Sequence, residues 1–155
     1  MSATEYFPHI DLILQSLRIN RDRLSSKSKI AIDARLLRLM LQTIAAKLPF
    51  SEDFYMESYP DLAEAYAAGK IPNLHQHFVD SGYLEGRVGS PPLVDEGYYL
   101  GAYKDVGKAV AAGDIANATE HYMRAGAAEG RVPNAATRQL IDNWMSVLRD
   151  EAGRG

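Results

Sequence analysis

"SEDFYMESYPDLAEAYAAGKIPNLHQHFVDSGYLEGRV", residues 51–88, is written a second time as "DEGYYLGAYKDVGKAVAAGDIANATEHYMRAGAAEGRV", residues 95–132. The two stretches align without a gap, and 16 of their 38 positions are identical. Many other pairs are alike: Phe54/Tyr98, Met56/Leu100, Leu62/Val106 and Phe78/Tyr122. A match of that length without a gap marks an internal tandem repeat, and helical arrays use periods in this range.

Each copy has the grammar of helices. A short helix or turn carries Tyr55 or Tyr99, and a helix of about Tyr59 to Ala68, or Tyr103 to Ala112, follows. Pro60 suits a first helical turn, where its missing N–H is not needed. Asp61 and Asp105 sit at the positive end of the helix dipole. Gly69 and Gly113 stand where a left-handed residue ends a helix, with Ile71 and Ile115 placed to fold back as its apolar contact. Asn73 and Asn117 cap a second helix that stops at Gly82 or Gly126, and "EGR" then makes a tight turn around Gly86 or Gly130. "GSPP" (89–92) joins the copies as a semi-rigid linker within 89–94.

The flanks are helical too. Residues from about Thr4 to Leu17 space Ile10, Leu12, Ile13, Leu14 and Leu17 for a helix, with Pro8 in or before its first turn. After the polar connector "RINRDRLSSKS", a helix is predicted from about Ser26 to Leu48, capped by Ser25 or Ser26 and ended by "LPF". It is apolar around much of its circumference: Ile30, Leu37, Leu41, Ile44 and Leu48 form one stripe, and Ile32, Leu36, Leu39 and Met40 form another. Such a helix is buried on more than one side. Either the flanking segments cover it or a second copy does, making a homodimer through helix 26–48. After Pro133-Asn134, Leu140, Ile141, Trp144, Met145, Val147 and Leu148 predict an amphipathic helix to about Arg149, with "EAGRG" fraying. No segment alternates with period two, so the fold class is all-α: an N-terminal two-helix hairpin (1–50), repeat 1 (51–88), repeat 2 (95–132) and a closing C-terminal helix (133–155).

Composition bounds the function. A chain of 155 residues with 46% hydrophobic and 24% charged residues is one domain's worth, or two small units sharing a core. No cysteine is present, which excludes a disulfide framework, thiolate zinc, a c-type haem and a cysteine nucleophile. The opening twenty residues lack the basic and continuous apolar regions of a secretory signal, and no window suits a membrane span. A cytoplasmic protein is the resulting expectation. The net charge of −3 divides unevenly: residues 1–50 carry 8 Lys/Arg against 4 Asp/Glu, and the remainder is acidic.

Two sets of residues are candidates for chemistry. In the repeats, Asp61, Glu85 and Arg87 recur as Asp105, Glu129 and Arg131, and His77 recurs as His121. Carboxylate pairs serve acid–base catalysis, but neither copy has a nucleophile, a phosphate loop or a metal-ligand cluster beside them. An arginine after a helix-ending glycine instead reaches an aspartate at a neighbouring helix start as a bidentate pair. Asp61–Arg87 and Asp105–Arg131 are therefore read as structural staples, with His77 and His121 half-buried and bonded through one ring nitrogen. His75 and His77 point apart on a helix and do not chelate one metal; Thr119 replaces His75 in copy two. Neither a metal nor a cofactor is expected, and no catalytic residue is assigned.

The second set is a candidate interaction surface: the basic residues Arg18, Arg21, Arg23, Lys27 and Lys29, continued by Arg35 and Arg38, and Tyr66, Tyr83 and Tyr98, read as the exposed tyrosines. The other repeated aromatics, Tyr55, Tyr59, Tyr99, Tyr103, Phe78 and Tyr122, are read as inter-helix core. Asp22 and Asp33 interrupt the basic run in an acidic protein, so a protein partner is expected before nucleic acid.

"FYMESYPDLAEAYAAG…HFVDSGYLEGR" and "YYLGAYKDVGKAVAAG…HYMRAGAAEGR" resemble a recurrent bacterial repeat. Its pattern is Tyr-Leu, then Pro-Asp-Val, Ala-Ala-Gly and His-Tyr-x-x-x-Gly-x-x-Glu-Gly-Arg. The resemblance covers residues 51–133, and copy two departs from it with Lys104 in the proline's place, which implies a less rigid helix start. It implies a non-catalytic module associated with glycosyltransferases and polysaccharide production. The expectation is thus a helical scaffold accessory to such machinery. The alternatives are a glycan-binding module using exposed tyrosines and carboxylates, and a nucleic-acid-binding regulator acting through residues 18–38.

Overall fold

The computed structural model describes residues 6–152, and its described residues form nine α-helices and no strand. In order they are α1 (Ile10–Leu17), α2 (Ala34–Ala45), α3 (Glu52–Ser58), α4 (Pro60–Ala67), α5 (Leu74–His77), α6 (Glu96–Ala102), α7 (Lys104–Ala112), α8 (Ala118–His121) and α9 (Arg138–Ala152). Short 3-10 turns lie at Arg21–Ser25 and Ala135–Thr137. None of these helices is long and apolar enough to cross a membrane.

The N-terminal helices are shorter than their apolar patterns. The expected start of α1 at Thr4 lies outside the described residues; the helix begins at Ile10, where the His9 ring accepts from the Asp11 N–H, and Pro8 precedes it. α2 starts at Ala34, not at Ser26, and ends at Ala45, not at Leu48. Its cap is Asp33, whose carboxylate accepts from the Arg35 N–H at 2.8 Å and pairs with the Arg35 guanidinium. The Ser26 hydroxyl, expected to cap the helix, instead donates to the Arg23 carbonyl and closes the preceding 3-10 turn. Serine hydroxyls that bond nearby backbone compete with helix formation, and β-branched Ile30 and Ile32 do not offset that.

From residue 51 the two copies fold alike, helix for helix. Ser51 and Asp95 cap α3 and α6 by accepting from Phe54 N and Tyr98 N. α4 and α7 end at Gly69 (φ +69°) and Gly113 (φ +80°), where the chain reverses in the left-handed region that glycine enters without strain. Lys104 begins α7 at the position Pro60 holds in α4. Asn73 and Asn117 cap α5 and α8, accepting from Gln76 N and Glu120 N. Here the pattern read as one helix to Gly82 or Gly126 changes pitch. After one α-turn, residues 78–82 and 122–126 form π-turns closed by Tyr83 N–H to Phe78 C=O at 2.8 Å and Ala127 N–H to Tyr122 C=O at 2.9 Å. Each unit closes one residue beyond its aligned end: Ser51 N–H donates to Gly89 C=O and Asp95 N–H donates to Pro133 C=O.

The repeats have separate cores. Tyr55, Leu62, Leu74 and Phe78, with Ala45 from α2, form one; Tyr99, Val106 and Ala118 form the other. Four large side chains at about 1.5–3 kcal/mol each are a thin core for a unit near the size where folding needs extra ties. α2 closes repeat 1: its Arg38 and Gln42 donate to the Asp80 carbonyl at 3.2 and 3.1 Å. α9 closes repeat 2 and continues three residues past Arg149, its inner face laying Met145 over Gly130. The expected fraying of 153–155 lies outside the described residues.

The π-turn exists to bring a glycine against a tyrosine. Gly82 and Gly126 are buried, and a methyl at either would overlap the hydroxyl of Tyr55 or Tyr99, whereas the Tyr55 ring carbon Cζ is 3.4 Å from that point. Gly82→Ala and Gly126→Ala should each destabilise by about 1–3 kcal/mol, as overpacking against a buried ring does. Tyr55→Phe alone should cost about 1 kcal/mol for its hydrogen bond. Combined with Gly82→Ala, it should cost less than the two changes added. Denaturant unfolding of the four-member cycle measures that coupling.

Candidate functional site

The repeated polar residues converge at one joint in each copy. The Tyr55 hydroxyl, on a fully buried ring, is hydrogen-bonded to Nδ1 of His77 at 3.2 Å; in copy two Tyr99 and His121 make the same bond at 2.9 Å. Both histidines are half-buried. Burial pushes the Tyr55 and Tyr99 hydroxyls up to about 12. At neutral pH these phenols therefore keep their protons. A protonated phenol enclosed in a core is suited to locking a turn.

A second tyrosine holds the other end of the joint. Tyr59 accepts the Val88 N–H at 2.7 Å, and Tyr103 accepts the Val132 N–H at the same distance. Over the faces of these rings lie Arg87 and Arg131, with guanidinium carbons 4.9 and 4.8 Å from the ring centroids. Arg87 donates through both terminal nitrogens to Asp61, at 3.1 and 2.9 Å, and through Nε to Glu85 at 2.8 Å. Arg131 grips Asp105 at 3.0 and 2.8 Å and also bonds Glu129. The joint therefore ties the start of the second helix of each repeat to the turn that ends the repeat. Sequence reasoning missed two of its parts, the tyrosine-to-backbone bond and the arginine–ring stack. Their signal was the identity of Tyr59/Tyr103 and Val88/Val132 between the copies.

Magnitudes divide the work within the joint. The aspartates are 61% and 63% exposed, so water screens the ion pairs. The arginines are only 22% and 20% exposed. Their stacking on the tyrosine rings adds to the screened ion pairs.

The candidate interaction residues are not gathered into one surface. Arg18 caps α1 in the left-handed region, φ +56°. Arg21 pairs with Asp11, Arg23 reaches the Lys29 carbonyl at 3.5 Å, and Lys27 and Lys29 lie exposed on the extended stretch before α2. Tyr66 is 37% exposed. Tyr83 and Tyr98, expected to be exposed, are half-buried and engaged. The π-turn swings Tyr83 onto Phe78, edge to face at 6.2 Å. α9 lands on Tyr98, whose hydroxyl accepts from Arg138 Nε at 2.9 Å beneath the same guanidinium. His75 stacks on Phe50 at 4.9 Å and His77 faces Tyr55, so the two histidines serve different neighbours. Among the described residues no three His, Asp or Glu side chains are grouped to hold a metal ion.

Arg87→Ala and Arg131→Ala should each lower stability by about 1–2 kcal/mol, read as a fall in Tm; lysine at these positions should recover only part of it, since it lacks the planar fork. A pH dependence follows as well. Hydrogen bonds from Arg87 and Arg131 hold the Asp61 and Asp105 carboxyls below the usual carboxylate range. A carboxyl depressed in the folded state adds stability that is present above its unfolded value, about 4, and is lost as pH falls through the folded value. Melting temperature should therefore drop on acidification below about pH 4, and Asp61→Asn with Asp105→Asn should make that drop shallower.

No protein-family model, no curated protein and no solved structure matches the chain.

Proposed function

We propose that the protein is a non-catalytic helical scaffold, in which two stapled repeats hold docking helices at either end. The observation that carries this reading is the outer face of α9. Leu140, Trp144, Val147 and Leu148 are each more than half exposed, with Trp144 at 62%. They are spaced i, i+4, i+7 and i+8, so they form one stripe, while Ile141 and Met145 on the other side are half-buried. An exposed tryptophan within an aliphatic stripe is the usual anchor of a helix that beds in a partner's groove.

α2 supports self-association. Leu37 and Ile44 remain 44% and 52% exposed on the side away from α1, and Leu37 and Leu41 run beside Leu84 and Arg38 as an open apolar strip. A homodimer through this helix would cover it. The resemblance of residues 51–133 to repeats of polysaccharide-associated bacterial proteins supports glycosyltransferase machinery as the setting. The buried phenols and the engaged carboxylates of the joints favour a structural role for the repeated residues.

Light scattering across a concentration series separates the two surfaces. The mass should rise from one copy toward two, and Leu37→Glu with Ile44→Glu should hold it at one. Trp144→Glu should leave the mass series unchanged and abolish co-purification of a bacterial glycosyltransferase with the tagged protein. A monomer at every concentration that retains no such enzyme would contradict the scaffold reading.

A further inference from the structure

The two copies differ along one open groove. At the edge of repeat 1, beside α5, lies an open groove of about 660 Å³ whose walls include Phe50, Glu52, Tyr66, Asn73 and His75. Moved by one repeat, these positions become Val94, Glu96, Val110, Asn117 and Thr119. Three rings are gone from copy two, and the carboxylate and the amide remain. In copy two that carboxylate is occupied: both oxygens of Glu96 accept the Ala118 N–H, at 3.2 and 3.1 Å. In copy one no such bond joins the Glu52 carboxylate to the Leu74 N–H, and among the described residues that exposed carboxylate has neither a hydrogen bond nor an ion pair. Glu52 is thus the one polar identity between the copies that repeat 2 uses in its fold and repeat 1 leaves open.

We propose that this groove is a saccharide-binding site, specific to repeat 1, for neutral oligosaccharides. Its volume falls in the range of small-molecule sites. Tyr66 is the one candidate tyrosine left open, and its ring offers an apolar face to the C–H side of a pyranose while its hydroxyl stays at the wet edge. The His75 ring, exposed and steadied by its stack on Phe50, makes a second wall. Between them the two oxygens of Glu52 accept from neighbouring sugar hydroxyls as charge-assisted hydrogen bonds. Asn73 spends its side-chain oxygen on the Gln76 N–H, which leaves its amide nitrogen to donate to a ring or hydroxyl oxygen. The same carboxylate repels uronic acids and other anionic sugars. The docking reading of α2 and α9 does not depend on this site.

Saturation-transfer NMR on the full chain tests it, with maltotriose, cellotriose, mannotriose and triacetylchitotriose as separate probes at millimolar concentration. At least one should receive saturation at its ring C–H protons, and amide correlation spectra should shift at 50–52 and 73–75 but not at 94–96 or 117–119. Tyr66→Ala and Glu52→Gln should each weaken binding about tenfold, and Glu52→Gln, at an exposed position, should leave Tm unchanged. Tyr66→Phe should keep most of the affinity, which separates stacking from folding. The assignment is overturned if none of the four probes binds, if repeat 2 responds equally, if Tyr66→Ala binds as well as the parent, or if tetramethylammonium occupies the groove while the sugars do not.

Discussion

Everything in this fold is arranged around a tyrosine hydroxyl pressed against a glycine. In each repeat the α-helix begun at Asn73 or Asn117 loosens into a π-turn after a single turn, and the looser pitch lets Gly82 or Gly126 face the buried phenol of Tyr55 or Tyr99. π-turns are rare because the wider ring sacrifices backbone contact. Here the loss is offset by the hydrogen bond to His77 or His121, which satisfies a hydroxyl that burial would otherwise leave costly. The turn then aims the chain so that Arg87 or Arg131 passes over the second tyrosine and meets the aspartate of the neighbouring helix. Remove the close approach and the staple has no fixed starting point.

That dependence explains why so small a unit carries so many polar identities. Each repeat buries only a few large side chains, and its core shares none of them with the other copy. Apolar burial at that scale is marginal against chain entropy. The joint adds directional bonds in which nearly every donor is a repeated residue, so hydrogen bonding here sets geometry as well as adding stability. The exposed aspartates matter less for their charge than for fixing where an already sheltered guanidinium points.

How much of this could be read from the chain follows the range of the interactions. The all-α class, the caps at Asn73 and Asn117 and the left-handed ends at Gly69 and Gly113 are local chemistry, legible within a few residues. Asp61 and Arg87 lie far apart in sequence, yet writing them twice exposed their pairing without any structure. Pitch was not legible: α5 and its π-turn have the same apolar spacing as one continuous helix, and only the packing of Gly82 on Tyr55 distinguishes them. The start of α2 was misplaced for the opposite reason. Its apolar pattern extends back to Ile30, but the competition between serine hydroxyls and the Asp33 cap is settled by local hydrogen bonds that periodicity does not weigh. Tyr83 and Tyr98 read as free because the turn and the helix that cover them lie outside their own segment's pattern.

The end caps carry the remaining functional information. In a repeat array a terminal helix ordinarily covers the last core with one face and shows water a polar one. α9 does the first, through Met145 over Gly130 and Arg138 over Tyr98, yet its other face is aliphatic with an open tryptophan. α2 likewise closes repeat 1 through Ala45, Arg38 and Gln42 while leaving Leu37 and Ile44 open. Stability alone would be served by polar residues on those outer faces, as solubility would. Both helices are already anchored to the repeats by polar contacts, so the apolar side chains on their outer faces add nothing to either core.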